Sequence, residues 1–369
     1  PIQVGAGVRV ASNSTDFTQG PINSTSNPTD VALNGNGFFV VQNGGVQELT
    51  RAGNFSLTAN GDLQTTSGLA VMGYPAANGV VNTNAALTPV HIPVGQVEQP
   101  NATTNISFTA NLDASSATGD SFPAPVTIYD SLGIAHEAMV TFTQTAANTW
   151  DFSAALSATD FASGISTPIT GSVNFDTSGN LSTVTIGGTT SPVGMAAGDV
   201  SSIPLSFAGL ADGAADLNMN WNLLSSANAP TLTQAASASA VSATNQDGFS
   251  SGQYKEFSIS GNGTVTASYS NGQKLIVGQL ALANVTNQQG LQLLGDGNYA
   301  TTLASGQSSI GTAGAGGLAT LQAGALEGSN VNIAAEFSNL IIAQRAFEAN
   351  SKAVTTFDTV TQEVINMIR

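Results

Sequence analysis

The closing stretch of the chain, 332–369, contains no glycine and no proline, although the 369 residues include 40 of the first and 13 of the second. These are the strongest interrupters of regular structure. This stretch can therefore run as one long helix, while what precedes it must be built from short pieces joined by turns. Asn332 is placed to cap the helix, and Glu336 lies near the positive end of its dipole. Leu340, Phe347, Val354 and Ile368 recur at heptad spacing, interrupted by Thr361, and Phe337, Ile341, Phe357, Val364 and Ile365 widen the stripe. Gln344 and Ser351 interrupt the seam, as polar residues that set register do. Glu348 and Lys352 form an i,i+4 pair in the better orientation. A helix of about 37 residues extends roughly 55 Å. The plainer reading packs it on its own domain, but no comparable internal partner is visible. The reading adopted is that Phe337, Leu340, Ile341, Gln344, Phe347, Val354, Phe357, Val364 and Ile368 pack between copies. Removing apolar area from water contributes about 25 cal/mol per Å2.

Before this segment the pattern is strand and turn. Val31, Phe38, Phe39, Val40 and Val41 flank the turn run Asn34-Gly35-Asn36-Gly37. Phe55 and Leu57 lead through Ala59-Asn60-Gly61-Asp62 to Leu63, which reads as a hairpin. From about 101 to 240 the texture becomes rich in Ser, Thr and Ala. There Val126, Ile128, Ile134, Ala138, Val140 and Phe142 alternate around the turn Asp130-Ser131-Leu132-Gly133, which places them on one face of a sheet. Residues 235–243 read as a return linker, 254–260, 264–270 and 274–285 as a β-meander, and 311–317 as a Gly-rich loop.

Hydrophobic residues make up 41%, enough for a sizeable core, but charged residues only 8% against roughly 25% in ordinary soluble domains. A net charge of −16 with seven basic residues leaves no basic stripe for nucleic acid or for an anionic membrane surface. The absence of cysteine removes disulfides, thiolate nucleophiles and Cys-ligated zinc. No apolar run reaches the roughly 18 residues a membrane span needs. The chain opens at Pro1 without a signal-peptide pattern, and a preceding segment is expected.

No catalytic, cofactor or metal site is expected. His91 and His136 are the only histidines, and isolated histidines in strand or turn are ordinary surface or core residues. Asp130, Ser131 and His136 crowd into one hairpin, whereas a catalytic triad needs a three-dimensional relay. Gly35, Gly37, Gly44 and Gly45 are turn glycines, since no Lys follows and no helix begins there. Gly295-Asp296-Gly297-Asn298 resembles a fragment of a calcium repeat but occurs once. The acceptor-like Asn13 and Asn105 are expected by chance in this composition.

Several runs stand out when taken in order. Near the start are Val4-Gly5-Ala6-Gly7-Val8-Arg9-Val10 and Asp16-Phe17-Thr18-Gln19-Gly20, then Asn36-Gly37-Phe38-Phe39, Arg51-Ala52-Gly53-Asn54-Phe55 and Gly73-Tyr74-Pro75, a series that resembles the axial proteins of the bacterial flagellum, the hook protein family in particular. Near the end stand Gly324-Ala325-Leu326-Glu327-Gly328-Ser329-Asn330-Val331-Asn332 and Ile342-Ala343-Gln344-Arg345-Ala346-Phe347-Glu348-Ala349-Asn350. The family often has an acidic residue at the position of Asn332, and either can cap. Rod proteins share the end motifs. The middle run Val126-Thr127-Ile128-Tyr129-Asp130-Ser131-Leu132-Gly133 with Ala135-His136 favours hook over distal rod.

The resemblance implies a mainly β protein of two β-domains plus a long C-terminal α-helix. Residues 1–28 would lead as an extended segment into an inner, discontinuous β-domain of 29–100 plus 244–323. An outer β-domain, 101–243, would be inserted in it, and 324–369 would hold the linker and polymerisation helix. It also implies a self-assembling, flexible tube that passes motor torque from rod to filament outside the cell. Its partners would be other hook subunits, the distal rod protein and hook-filament junction protein at the ends, and a hook cap during assembly, with no cofactor, nucleic acid or membrane insertion. A surface adhesin or carbohydrate-binding β protein is the alternative of another class. It would need a cluster of exposed aromatics, which two Trp and five Tyr hardly supply.

Overall fold

The computed structural model of the chain describes residues 14–367. The expected run Val4 to Val10, Asn13 and the last stripe residue, Ile368, lie outside the described residues. The described residues are mainly strand, with one α-helix among them, Ile333–Met367. It divides into two compact units, one of residues 1–94, 256–267 and 274–369, the other of 95–255 and 268–273.

In the first unit the long strand Lys274–Asn284 carries six consecutive buried residues, as a strand covered on both faces requires. It pairs with Ala70–Ala77, with Phe38–Asn43 and with Ser309–Thr312. Phe38–Asn43 turns back into Val46–Thr50 through Gly44-Gly45, both at positive φ (55° and 96°), as a two-residue hairpin demands. Phe38, Val40, Leu49, Met72, Tyr74, Ala281 and Ala283 fill the core. The expected hairpin around Gly61 is present, with Leu57 opposite Leu63. So is the meander, as Gly252–Ile259, Thr264–Tyr269 and Lys274–Asn284, of which 252–255 and 268–269 are assigned to the second unit. The Gly-rich loop is shorter than expected, because Gly311 belongs to the strand Ser309–Thr312, where a Cβ would press on Leu318.

The second unit is two sheets on one core. A six-stranded meander runs from Ser121–Tyr129 to Thr189–Pro192. The other sheet is built on Asn105–Asp113, parallel to Leu217–Asn222 and Leu232–Ala235 and antiparallel to Ala240–Gln246. That last strand corrects the reading of 235–243 as a linker: its small polar residues carry no hydrophobic alternation, and a ladder of backbone bonds recruits them. Val126, Ile128, Ala138, Val140 and Phe142 point into the core as their alternation predicts, but Ile134, in the turn, is exposed. Trp221 sits at the centre, fully buried, edge-on to Phe108, Phe142 and Phe152 at centroid distances of 5.5, 5.8 and 5.3 Å. Trp150 is equally buried, so neither tryptophan is available to an exposed aromatic platform.

Asp247 fastens the start of this unit. Its carboxylate accepts bonds from Thr104 N and Oγ1 (2.8 and 2.6 Å) and from Asn105 N and Nδ2 (2.9 and 2.9 Å). Burial works against its charge, but these donors outweigh it and hold the pKa below the ordinary carboxylate value. A depressed folded pKa means stabilisation that is present above the unfolded value, about 3.9, and lost as pH falls through the folded one. Asp247→Asn is expected to cost about 1 kcal/mol at neutral pH, given the site's exposure. Urea melts should show that gap closing below about pH 4. An equal gap at pH 7 and pH 3 would mean that the charge plays no part.

Candidate functional site

The terminal helix begins at a made cap. Asn332 Oδ1 accepts from the N–H groups of Ala334 and Ala335 at 3.1 and 3.2 Å, and Glu336 lies in the first turn. Its 35 residues reach about 52 Å. None of its side chains is buried. Phe337, Leu340, Ile341, Phe347, Val354, Phe357 and Val364 are all exposed, Phe347 at 67% and Phe357 at 76%, and Gln344 is exposed beside them. Ser338, Thr356, Thr359 and Thr361 return their hydroxyls to the carbonyl four residues back, so they do not compete with the backbone ladder. The expected Glu348–Lys352 pair forms no ion contact among the described residues. On an open helix face water solvates both groups, and such a pair contributes only a few tenths of a kcal/mol.

What anchors this helix was not legible from its stripe. The strand Ala325–Glu327 runs antiparallel to Ile22–Ser24. Arg51 forks onto Glu327, Nε to Oε2 and Nη2 to Oε1, both at 3.0 Å, with the two side chains only 17% and 12% exposed. The same guanidinium donates through Nη1 to the carbonyls of Gly35 and Gly37, and Glu327 Oε1 also accepts the Gly20 N–H. Asn330 Nδ2 donates to the carbonyls of Asp16 and Thr18, and Gln19 closes on Leu33 O and Gly35 N. Gly20 admits this approach, since a Cβ there would lie 2.0 Å from Gly328 O. At Gly53 one would lie 1.7 Å from Val31 O. Phe17, Phe38 and Tyr299 meet ring to ring beside the clamp, with centroids 5.5–6.0 Å apart. Four of the runs that carry the sequence resemblance, those holding Asp16–Gly20, Gly37, Arg51 and Glu327–Asn330, thus meet at the joint between the body and its two tails.

His91 is a surface residue and His136 a core one, as expected, but His136 is not isolated: the second unit holds it in a cluster. His136, 5% exposed, has Nε2 3.1 Å from Asp130 Oδ2 and 3.3 Å from Asp212 Oδ2, and Nδ1 3.4 Å from Asp160 Oδ1. Burial pushes the imidazole pKa down, but the carboxylates of Asp130 and Asp160 push it up and prevail. Burial raises Asp130, and this is outweighed by His136, Asp212 and the Ile134 and Leu132 amides, which hold it low. Ser131 takes no part: its Oγ accepts from Ala215 N, so no triad exists. Asp160 and Asp212 lie on other loops, with no spacing signal to connect them to His136. His91 pairs only with Asp62, at 2.9 Å on the surface.

An exposed apolar helix clamped to a β-body is the geometry of a subunit with a face left to cover, and comparison with known proteins supplies the class, a structural subunit of a flagellar axial assembly. Residues 32–111 match the Flagellar hook protein FlgE/F/G D1 domain, 101–249 the Flagellar basal body protein FlaE D2 domain, and 322–367 the Flagellar basal body rod FlgEFG protein C-terminal region. The flagellar hook protein FlgE of Salmonella typhimurium is 33% identical over 99% of this chain and 88% of its own length. That of Treponema pallidum is 33% identical over 100% of this chain and 86% of its own. The crystal structure of Helicobacter pylori flagellar hook protein FlgE2 shares the fold, with a TM-score of 0.62 over 81% of this chain and 99% of that one, at 15% identity. The chain belongs to the flagellar hook protein family, as a structural subunit of the hook.

Proposed function

We propose that the stripe Phe337, Leu340, Ile341, Gln344, Phe347, Val354, Phe357 and Val364, continued by Ile368, packs between subunits and holds the tube together. The supporting observation is the helix itself, 35 residues long with no side chain buried in the single chain. In proteins most helical stability comes from packing an apolar face, not from propensity. Covering seven such apolar side chains contributes on the order of 10 kcal/mol per subunit. On this reading 29–100 with 244–323 form an inner domain, 101–243 an outer one, and low-charge polar surfaces slide as the tube bends under torque. The subunit is then a non-enzymatic, extracellular universal joint. It meets the distal rod protein and the hook-filament junction protein at the ends of the tube, and a cap during growth. Electron microscopy of the full-length protein should show tubes. Truncation before Asn332, or Phe347→Asp with Phe357→Asp, should leave a folded, unassembled body. Tubes from the truncated protein would overturn the assignment of the helix.

A further inference from the structure

The His136 cluster sets one imidazole against three carboxyl groups from separate loops. A histidine carries at most one N–H on each ring nitrogen. The Nε2 side faces two carboxylate oxygens, and only Asp130 Oδ2 lies in hydrogen-bonding position. Asp212 Oδ2 is shielded from solvent and has no hydrogen-bond partner. One imidazole thus faces three carboxyl groups. Asp130 is 0% exposed, and Asp160 and Asp212 only 23% and 17%. No fixed cation balances them: Lys255 is the only Lys or Arg in the unit, and no ion pair of a Lys or Arg reaches the cluster among the described residues. Carboxylate charge buried without a cation costs several kcal/mol.

We propose that Asp130, His136 and Asp212 bind a divalent transition metal, zinc above all, with Asp160 as the partner of the ligating histidine. Tetrahedral zinc with bonds of about 2.0 Å holds its ligand atoms about 3.3 Å from one another. The two edges from Nε2 measure 3.1 and 3.3 Å, and the three ligand atoms all lie within 4.8 Å of one another. Asp130 Oδ1 is held by the N–H groups of Leu132 and Ile134 at 2.8 and 2.9 Å, which turns Oδ2 toward the imidazole. Asp160 stands at Nδ1, where a carboxylate fixes the tautomer that presents the Nε2 lone pair to a metal. Calcium and magnesium prefer all-oxygen sites, so the imidazole selects against them. Solvent completes the sphere on the side where Asp212 is partly open. Binding replaces the proton on Nε2, which leaves to water.

The ion would tie three loops into one. Asp130 and His136 bracket the turn between Ser121–Tyr129 and Ala135–Ala146, Asp160 closes the short 3-10 turn Ala158–Asp160, and Asp212 lies between Ser202–Phe207 and Leu217–Asn222. The backbone already begins this stitching, with Ala211 N on Asp160 O and Ala162 N on Gly209 O.

The test is equilibrium dialysis of the full chain against zinc with elemental analysis, together with thermal melts followed by tryptophan fluorescence. Both tryptophans lie in this unit. One zinc per chain is expected, with the melting temperature raised by about 5–10 °C at a hundredfold excess over Kd. Asp212→Asn should lose the bound zinc and the zinc-dependent shift while melting near the parent without metal. Asp160→Asn should weaken binding about 10- to 100-fold. It keeps the test open if Asp212→Asn misfolds. His91→Ala should bind as the parent does. No zinc-dependent shift, zinc retained by Asp212→Asn, undiminished affinity in Asp160→Asn, or zinc lost in His91→Ala would each overturn the assignment.

Discussion

Replacing Arg51 by alanine should remove about 3 kcal/mol from the stability of the first unit, because it strands Glu327 as a largely buried charge. The fork from Nε and Nη2 supplies two of the three bonds at that carboxylate, and only the Gly20 N–H would remain. The carbonyls of Gly35 and Gly37 lose their shared donor as well. Hydrogen exchange should register the loss in Val31–Asn34 and in its partner strand Thr320–Ala323, which flank the clamp. Double replacement of Arg51 and Glu327 by methionine should recover much of the loss, since apolar pairs often substitute for buried ion pairs without net cost. A single Arg51→Ala within 0.5 kcal/mol of the parent would show that the fork is solvated and marginal.

Trp221→Ala is expected to cost the second unit about 4 kcal/mol, the range for emptying a large aromatic site in a packed core. Three edge-on rings, those of Phe108, Phe142 and Phe152, lose their common partner at once. Such pairs contribute about 0.5–1.5 kcal/mol beyond area burial. Against this, the Trp221 indole N–H has no acceptor, so its removal relieves an unmade bond. Trp221→Phe separates the two contributions: it keeps an aromatic edge, discards the orphaned donor and should cost only about 1–2 kcal/mol. Denaturant melts followed by the remaining Trp150 report this unit directly. Equal losses for the alanine and phenylalanine variants would show that cavity volume and ring contacts do not set the energetics.

How much the sequence disclosed depended on whether a signal was local. The terminal helix was legible because Asn332, a run free of Gly and Pro, and a 3.5-residue stripe all act within a few turns. The hairpin at Gly61 and the alternating pair around Gly133 were legible for the same reason. Ala240–Gln246 was not: it is a strand by virtue of its neighbour Asn105–Asp113, and its small polar side chains record nothing of that pairing. Arg51 and Glu327 lie 276 positions apart, and no periodicity links them. His136 read as solitary because Asp160 and Asp212 reach it only after two further loops fold over. Charge in this chain is so scarce that each buried ionic group is a candidate for a specific task, and that scarcity was visible from the start.

The side-by-side seating of the two tails also decides how the body bears load. Ile22–Ser24 and Ala325–Glu327 run in opposite directions, so the segment entering the body and the segment leaving it emerge at the same end. A pull on both tails together moves the two strands as one and leaves the bonds between them unloaded, so the load passes to the groups that tie the pair to the body, the Arg51–Glu327 fork first. A pull that spread the tails apart would peel the bonds between them singly, beginning with Asn330. The joint therefore resists a shared pull better than splaying.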